Sequence, residues 1–182
     1  MIQYCCPTIF WKFNVGYVDL KNIEEKCVYS EYTKDWNCLV KTSRGVEYNW
    51  SHFIQKIIPY FENLSYKQGV SLKSSGDPWM NVYEKGCYQE PHHHMGDVYQ
   101  LSYCYFYKLP QNSGKFCFWN EQFRLYCSNR LLQLMNLEVD EWIYPDVNEG
   151  DLIIFPSFLT HQVTYHGITD KRVTVSGNVE IL

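Results

Sequence analysis

The hydrophobic pattern of the first third of the chain predicts one strand and one long helix. Residues 8–20 (TIFWKFNVGYVDL) alternate apolar and polar side chains, which is the period-2 pattern of a strand. Residues 47–64 instead carry apolar side chains at helical spacing, and this stripe predicts a helix lying over a sheet. Pro59 falls inside the stripe and is expected to kink or interrupt the helix, because proline cannot donate a helical hydrogen bond. The stripe contains Trp50, Phe53, Ile54, Ile57, Ile58, Phe61 and Leu64.

The pattern changes from residue 78 onward, where short strand-like runs are separated by Gly, Pro, Asp and Asn. Residues 127–139 (CSNRLLQLMNLEV) interrupt these runs and are predicted to form a helical turn or a loop crossing. A helix followed by many closely spaced strands favours a mainly β fold. We expect a double-stranded β-helix, that is a jelly roll or cupin-like barrel, with flanking N-terminal helices. The runs are PWMNVYEKG, VYQLSYCYFYKLP, GKFCFWN, GDLIIFPSF, HQVTYH and KRVTVSGNVEI.

The length of the chain indicates one globular domain. A chain of 182 residues can bury a sizeable core, and no linker rich in proline, glycine or serine divides it. We therefore predict a single domain over residues 1–182. Within it, residues 1–77 are expected to form a supporting strand and helix region, and residues 78–182 the jelly-roll core that carries the candidate site.

The charge and the hydropathy argue against two classes of partner. The formal net charge is −4, whereas non-specific binding to nucleic acid needs clustered Lys and Arg side chains. No apolar stretch is long enough to span a bilayer. The first residues, MIQYCCPTIFWKF, lack the basic start and the long apolar run of a signal peptide. We expect neither a nucleic acid nor a membrane as a partner.

The cysteines predict neither a disulfide framework nor a zinc ribbon. There are eight of them, and apart from one adjacent pair they are scattered without a CxxC motif. They are expected to be reduced thiols in a cytoplasmic protein. The sequence leaves open whether the chain acts as a monomer or as a homodimer.

A run of three histidines is the first candidate for chemistry. In an extended segment, residues two apart point to the same face, so His92 and His94 can share one ligand while His93 points away. His161 follows a very apolar strand and a proline-containing loop, and it could supply another imidazole. The alternatives are a solvated polar loop for the run and a structural histidine at the barrel rim for His161.

A candidate carboxylate-binding pair follows eleven positions after His161. Arg172 and Thr174 share one strand face by the same alternation. A guanidinium presents a planar fork that matches a carboxylate, and a hydroxyl adds one more donor. The alternative for Arg172 is a structural pair with Asp151 or Glu180, because burying it without a partner is costly.

Together these residues resemble the 2-oxoglutarate/Fe(II)-dependent oxygenases. In that superfamily the ligands come as His-x-Asp/Glu followed far downstream by His, and a later Arg holds the far carboxylate of 2-oxoglutarate. The segment YEKGCYQEPHHH is similar to the approach to the metal in prolyl hydroxylases, with Tyr83, Gly86 and His92 at matching positions. The resemblance covers roughly residues 78 to 180 and extends to a bacterial and phage branch of these oxygenases. The segments similar to that branch are LSYCYFYKLP with SGKFCFWN, EGDLIIFPSFLTHQV and KRVTVSGNV.

The resemblance implies an Fe(II)/2-oxoglutarate-dependent dioxygenase that hydroxylates a C–H bond and decarboxylates 2-oxoglutarate to succinate. It implies Fe(II) and 2-oxoglutarate as cofactors and no catalytic side chain beyond the metal ligands. The prolyl-hydroxylase-like segment suggests a peptide or protein side chain as the substrate, and a small molecule stays open. The implied residues are His92, His94 and His161 for the metal and Arg172, Thr174 and Tyr83 for the cosubstrate.

Two positions depart from the usual pattern of that superfamily. His94 stands where the carboxylate ligand is usual, so either three histidines hold the iron or Asp97 supplies a carboxylate. Phe106 stands where related enzymes often have a tyrosine hydroxyl for 2-oxoglutarate, and Tyr83 or Tyr103 would have to replace that donor.

Two other classes of function remain compatible with these residues. A three-histidine cupin-type dioxygenase would not use 2-oxoglutarate, and Arg172 would then be structural. A non-enzymatic jelly roll would serve as a binding or structural protein, with an empty or zinc-filled site. Under the oxygenase hypothesis, aromatic side chains are expected to wall the site against water. The candidates are Trp79, Tyr103, Tyr105, Phe106 and Phe155.

Overall fold

The computed structural model describes residues 9–29, 40–96, 98–123, 130, 133–134 and 140–182. Strands dominate these residues, as the sequence predicts. In chain order the elements are β1 (Trp11–Asn14), α1 (Lys21–Glu24), β2 (Lys41–Thr42), α2 (Ser51–Gln68), β3 (Leu72–Tyr83), β4 (Gln89–His92), β5 (Leu101–Lys108), β6 (Phe116–Trp119), β7 (Trp142–Ile143), β8 (Asp151–Pro156), β9 (His161–Val163) and β10 (Arg172–Ile181).

The strands form two antiparallel sheets. The major sheet has the order β1-β8-β5-β10-β3-β2, and the minor sheet has the order β4-β9-β6-β7. One cluster of buried side chains joins the two sheets, with Phe106 and Phe155 from the major sheet meeting Phe116 and Phe118 from the minor one. The expected mainly β double-stranded β-helix with N-terminal helices is confirmed.

A second core lies on the other face of the major sheet, under α2. The helix buries Phe53, Ile57, Phe61 and Leu64, which belong to the predicted apolar stripe. The ring centroids of Phe53 and Tyr105 are 5.4 Å apart, so aromatic side chains of β5 pack directly against the helix. Both faces of the major sheet are therefore covered, which explains why β5 is buried at almost every position.

The helix differs from the prediction at Pro59. It runs without interruption from Ser51 to Gln68 and ends at Gly69, which has a left-handed conformation with φ of 67°. Pro59 lies on the exposed side of the helix, while Ile57 and Phe61 on either side of it are buried. Burial of these neighbours against the sheet outweighs the local cost of the proline, so the predicted interruption is wrong, and a kink at Pro59 stays a prediction.

Of three further predictions, one is confirmed in part and two are not tested by the structure. The predicted N-terminal strand is confirmed only over Trp11–Asn14. Residues 127–139 lie outside the described part of the chain except for three positions. The division at residue 77 stays a prediction, and β3 runs across it from Leu72 to Tyr83. None of the helices in the described residues is long and apolar enough to cross a membrane.

Candidate metal centre

Strand pairing in the minor sheet brings the distant histidines together. β4 and β9 are antiparallel neighbours, and their register places His92 directly opposite His161. His94 follows two residues after the end of β4, so alternation in the extended chain turns it to the same side as His92. His93 is exposed.

The three imidazoles form a compact cluster. The ring centroids of His92 and His161 are 4.3 Å apart, and those of His94 lie 5.1 Å from each of the other two. One ligand nitrogen from each ring can be chosen so that all three lie within 4.8 Å of one another. Metal–nitrogen bonds are about 2.1 Å long, so small adjustments of the rings suffice for all three to share one ion.

Backbone carbonyl groups fix the orientation of two of the rings. Nδ1 of His92 lies 2.8 Å from the carbonyl oxygen of Glu90. Nδ1 of His161 lies 2.8 Å from the carbonyl oxygen of Leu159. A carbonyl oxygen only accepts, so each Nδ1 must carry the proton and each Nε2 keeps its lone pair. This is the arrangement that a metal-binding histidine requires.

A polar network orients His94 in the same way. Nδ1 of His94 donates to Oδ1 of Asn178 over 3.1 Å, and the hydroxyl of Ser102 donates to that oxygen over 3.0 Å. The Ser102 and Ser157 hydroxyl groups are 2.9 Å apart. The backbone N–H of His94 donates to the carbonyl of Ser157 over 2.8 Å, which holds the segment after β4 in place. The side chains of β10 and β5 thus direct Nε2 of His94 toward the other two rings.

Burial keeps the three imidazoles neutral. It lowers the pKa of His92, and it lowers the pKa of His94 to about 4. It also lowers the pKa of His161 well below its ordinary value, and the neighbouring histidines act in the same direction. Neutral rings present lone pairs, so the cluster fits a cation without first losing protons.

Arg172 is the most deeply buried cation of the described chain. It exposes 0% of its surface, and none of its three guanidinium nitrogens has a hydrogen-bond partner among the described residues. Its Cζ lies 4.9 Å from the centre of the Tyr83 ring. Burial lowers the pKa of Arg172, and nearby Tyr83 and Cys104 oppose that shift. A guanidinium nevertheless stays protonated in proteins, so Arg172 places a buried positive charge at this end of the sheet face.

The two carboxylates that could have paired with Arg172 are engaged elsewhere. Oδ1 of Asp151 accepts from the side chain of Asn14 over 2.9 Å, and its other oxygen accepts from the backbone of Asn148 over 2.9 Å. Glu180 accepts from the hydroxyl of Ser75 over 2.8 Å. Neither carboxylate forms an ion pair with Arg172 among the described residues.

A cavity of about 310 Å³ opens between the sheets at the histidine cluster. Tyr83 and Thr174 line it together with the three histidines. Arg172 is not among the lining residues, and it lies behind Tyr83 at the end of the same face of the sheet. The cross-strand pairs Tyr83–Arg172 and Asn81–Thr174 make this face continuous. The volume lies at the small end of the range for ligand pockets.

The expected aromatic wall is only partly present. Trp79 and Phe155 line the cavity, whereas Phe106 is buried beneath it in the core between the sheets. Tyr103 and Tyr105 point to the opposite face and pack under α2, so their assignment to the wall is wrong. Of the two tyrosines expected to replace the hydroxyl missing at Phe106, Tyr83 lines the cavity and Tyr103 does not.

The sequence analysis missed two residues that line the site, and the structure does not test a third residue that it named. Asn178 shares the face of Thr174, and extending the same alternation by two steps would have identified it. Arg44 lines the cavity from the turn after β2, and no local pattern indicates this. Asp97, the alternative metal ligand, lies outside the described residues.

Three solved structures share the fold at low sequence identity. A prolyl 4-hydroxylase from Pseudomonas putida matches with a TM-score of 0.59 and 10% identity, over 95% of this chain and 92% of that protein. A 2OG-Fe(II) oxygenase family oxidoreductase from Burkholderia pseudomallei matches with a TM-score of 0.54 and 11% identity, over 74% of this chain and 58% of that protein. A prolyl hydroxylase from Trichoplax adhaerens, in complex with a hypoxia inducible factor oxygen degradation domain peptide fragment, matches with a TM-score of 0.51 and 11% identity, over 79% of this chain and 62% of that protein. The chain thus spans less than two thirds of the last two proteins, and these likenesses show the fold alone.

One sequence family matches the region that holds the site. The family described as "Putative 2OG-Fe(II) oxygenase" matches residues 77–178, which is more than half of the chain. No curated protein matches the chain. The fold and the three-histidine cluster agree with this family, whose cofactors are Fe(II) and 2-oxoglutarate, and His92, His94 and His161 could bind the iron. The chain belongs to the family of 2OG-Fe(II) oxygenases.

Proposed function

We propose that this chain is an Fe(II)/2-oxoglutarate-dependent dioxygenase that hydroxylates a C–H bond of its substrate. The observation that carries the proposal is the pairing of two features in one site. Three neutral imidazoles converge on one point, and a buried guanidinium without a hydrogen-bonding partner lies at the end of the adjoining strand face. The first feature fits a cation, and the second fits the far carboxylate of a keto acid.

The side chains have separate roles in this proposal. His92, His94 and His161 hold the iron through Nε2, since each Nδ1 already donates to a protein oxygen. With both cofactors bound, the iron centre supplies the chemistry that activates O2, decarboxylates 2-oxoglutarate to succinate and CO2, and hydroxylates a C–H bond.

Three residues of the adjoining face would bind and orient the cosubstrate. Arg172 would grip the far carboxylate, which positions the keto acid without taking part in the chemical steps. The hydroxyl groups of Tyr83 and Thr174 would add donors, and both residues line the cavity.

The energetics favour an incoming anion over a structural role for Arg172. A buried ion without a partner costs several kcal/mol, by a general estimate of about 3–5 kcal/mol for a broken buried pair. A carboxylate that reaches the guanidinium removes this cost and forms two charge-assisted hydrogen bonds. In this proposal the dianion of 2-oxoglutarate would bind the iron at one end and Arg172 at the other.

The same observation weighs against the other two classes of function. A three-histidine cupin-type dioxygenase that does not use 2-oxoglutarate would leave Arg172 with the rings of Tyr83 and Phe106 but with no hydrogen-bond acceptor among the described residues. A non-enzymatic jelly roll with a zinc-filled site would account for the three imidazoles but not for the buried guanidinium of Arg172. Neither alternative accounts for both features.

Anaerobic titration with Fe(II) and then with 2-oxoglutarate tests the proposal. We expect one iron per chain and a visible charge-transfer band that appears only when the keto acid is added. Arg172→Ala should weaken 2-oxoglutarate binding while iron binding is retained. Iron that binds without any effect of 2-oxoglutarate would favour the cupin-type alternative. Absence of O2 consumption when iron is present would favour the non-enzymatic one.

The substrate is proposed only as a class. The Trichoplax adhaerens relative is described in complex with a peptide fragment, and a peptide or protein side chain is therefore one proposal for this chain. A small molecule is the other. The net charge of −4 argues against a nucleic acid substrate.

A further inference from the structure

His166 is a fully buried histidine that is not among the described residues lining the cavity. It exposes 0% of its surface. Its backbone N–H donates to the carbonyl of Cys87 over 2.8 Å, and its carbonyl accepts from the N–H of Gly86 over 2.8 Å. Nδ1 of its ring accepts from the backbone N–H of Gly114 over 3.2 Å, and Nε2 lies 2.7 Å from the carbonyl oxygen of Asp170. One residue therefore joins three separate segments of the chain.

The two ring contacts of His166 are compatible with one tautomer. The backbone N–H of Gly114 only donates, so Nδ1 must keep its lone pair. The carbonyl of Asp170 only accepts, so Nε2 must carry the proton. Both ring nitrogens are thus occupied by the protein itself, and neither is left for a metal ion or a substrate. The ring serves as a link between two backbone groups.

The linked segments adjoin the residues proposed to bind the cosubstrate. Asp170 lies two positions before Arg172, in the loop between β9 and β10. Gly86 and Cys87 lie in the turn between β3 and β4, which begins directly after Tyr83. His166 therefore ties together the chain that enters β10 and the chain that leaves β3, next to the Tyr83–Arg172 pair.

The third segment is packed closely against the same loop. Gly114 belongs to the loop between β5 and β6, and a Cβ added there would collide with the carbonyl oxygen of Thr164. The backbone N–H of Thr164 donates to the carbonyl of Lys115 over 2.9 Å, and the N–H of Lys115 donates to the Thr164 hydroxyl over 2.8 Å. These contacts give the ring of His166 a fixed support on the side opposite Asp170.

Arg172 depends on this loop because strand pairing supports it on one side only. It is the first residue of β10, and its pair with Tyr83 is the last of the described β10–β3 ladder. The described pairing of β10 with β5 begins at Val173 and shifts in register between Val173 and Thr174. The end of a strand is held less firmly than its interior. The segment before β10 must therefore help to fix where the guanidinium lies.

The neighbouring ion pair is too weak to do this alone. Nζ of Lys171 lies 3.9 Å from a carboxylate oxygen of Glu84, and the two side chains are 50% and 32% exposed. The same oxygen of Glu84 lies closer to Lys41, at 2.8 Å. Exposed ion pairs contribute little to holding a structure together. The buried hydrogen bonds of His166 are the stronger restraint.

We propose that His166 is a positioning residue for 2-oxoglutarate. It fixes the ends of β3 and β10, and so holds Arg172 and Tyr83 where they meet the far carboxylate, without contacting the cosubstrate itself. This inference rests on the proposed function, in which Arg172 binds that carboxylate. Iron binding should depend much less on His166, because strand pairing with both β4 and β6 holds His161.

The test compares His166→Phe with His166→Gln in anaerobic titrations with Fe(II) and then with 2-oxoglutarate. Phenylalanine fills the place of the ring but leaves the N–H of Gly114 and the carbonyl of Asp170 without partners. We expect the Kd of 2-oxoglutarate to rise about tenfold or more, as for the loss of one charge-assisted hydrogen bond, and the Kd of Fe(II) to stay nearly unchanged. Glutamine offers one acceptor and one donor, and should recover part of the affinity for 2-oxoglutarate.

Leu64→Ala is the control for lost stability. Leu64 is 2% exposed and packs under α2 in the other core, so this variant should lower the melting temperature and leave both Kd values unchanged. An unchanged Kd of 2-oxoglutarate in the folded His166→Phe variant, or an equal rise in both Kd values, would overturn the inference. If the Phe variant does not fold, His166→Asn takes its place, because its shorter amide cannot make both ring hydrogen bonds, and the same outcomes decide.

Nitrogen NMR of the unmodified protein tests the link directly. With ¹⁵N-labelled histidine, we expect a protonated Nε2 and an unprotonated Nδ1 for His166, assigned by loss of the signals in His166→Gln. The opposite tautomer would contradict the proposed link. Failure of the proposed function has a different signature, because the unmodified protein would then show no charge-transfer band with 2-oxoglutarate. Failure of this inference alone leaves that band in the unmodified protein and in the Phe variant at the same concentrations of 2-oxoglutarate.

Discussion

Replacing Arg172 by methionine should make the protein more stable and abolish its response to 2-oxoglutarate. Arg172 exposes 0% of its surface, and its three nitrogens have no hydrogen-bond partner among the described residues. Methionine fills a similar volume with an unbranched apolar chain and needs no partner. Replacement of buried ionic groups by apolar residues of similar volume stabilises proteins by about 1–4 kcal/mol. For a chain of this size, about 2 kcal/mol corresponds to an increase of about 4–8 °C in the melting temperature.

The response to 2-oxoglutarate should change in the opposite direction. A ligand at one hundred times its Kd stabilises the protein that it binds by about 2.7 kcal/mol, and we expect this increase in the parent protein loaded with metal. The Arg172→Met variant should show little or none of it, because the far carboxylate has lost its partner. Metal-dependent stabilisation should persist in the variant, since Arg172 does not contact the histidines in this proposal.

Thermal unfolding with and without metal and 2-oxoglutarate measures all of these effects, and Lys108→Met is a matched control. Lys108 forms an ion pair with Glu24 at 2.6 Å, and the Glu24 side chain is only 7% exposed. Removing Lys108 leaves a largely buried carboxylate without its partner, so the control should lower the melting temperature. If Arg172→Met also lowers it and still responds to 2-oxoglutarate, the guanidinium is structural and the reasoning fails.

Three shorter predictions concern the metal site and the core. Asn178→Ala should weaken iron binding about 10- to 100-fold in an anaerobic titration, because His94 loses the acceptor that orients it. Asp97→Ala should leave iron affinity unchanged in the same titration, and a marked loss would show that Asp97 is a ligand. Gly177→Ala should lower the free energy of unfolding in urea by about 1–3 kcal/mol, since the new Cβ would lie 2.3 Å from the Tyr103 hydroxyl oxygen; an unchanged value would contradict the close packing.

Local periodicity predicted the parts of the site that depend on one strand at a time. The alternation of a strand is enough to place His92 with His94, and Arg172 with Thr174, on common faces. That the two faces meet depends on the register between β4 and β9 and on the pairing of β10 with β3. These are contacts between residues far apart in sequence, and no local pattern specifies them. The motif resemblance supplied this long-range information.

The errors of the sequence analysis have identifiable physical causes. Residues of β5 are buried on both faces of the sheet, because α2 covers the outer face. Alternation between polar and apolar residues is therefore missing, and the sequence could not show that Tyr103 and Tyr105 point away from the cavity. The error at Pro59 arose differently, since packing of a long apolar stripe overrode a local preference.

Two residues at the proposed site hold buried polar atoms without a hydrogen-bond partner among the described residues, namely three atoms of Arg172 and one of Asn81. The hydroxyl groups of Tyr48 and Tyr103 share this property but lie in the other core, under α2. The cross-strand partners of Arg172 and Asn81, namely Tyr83 and Thr174, line the same face of the cavity. A fold selected for stability alone would have filled these positions with apolar side chains, which cost nothing when dry. Part of the stability lost at this face should therefore be regained when 2-oxoglutarate binds, as an increase in the melting temperature of the protein loaded with iron.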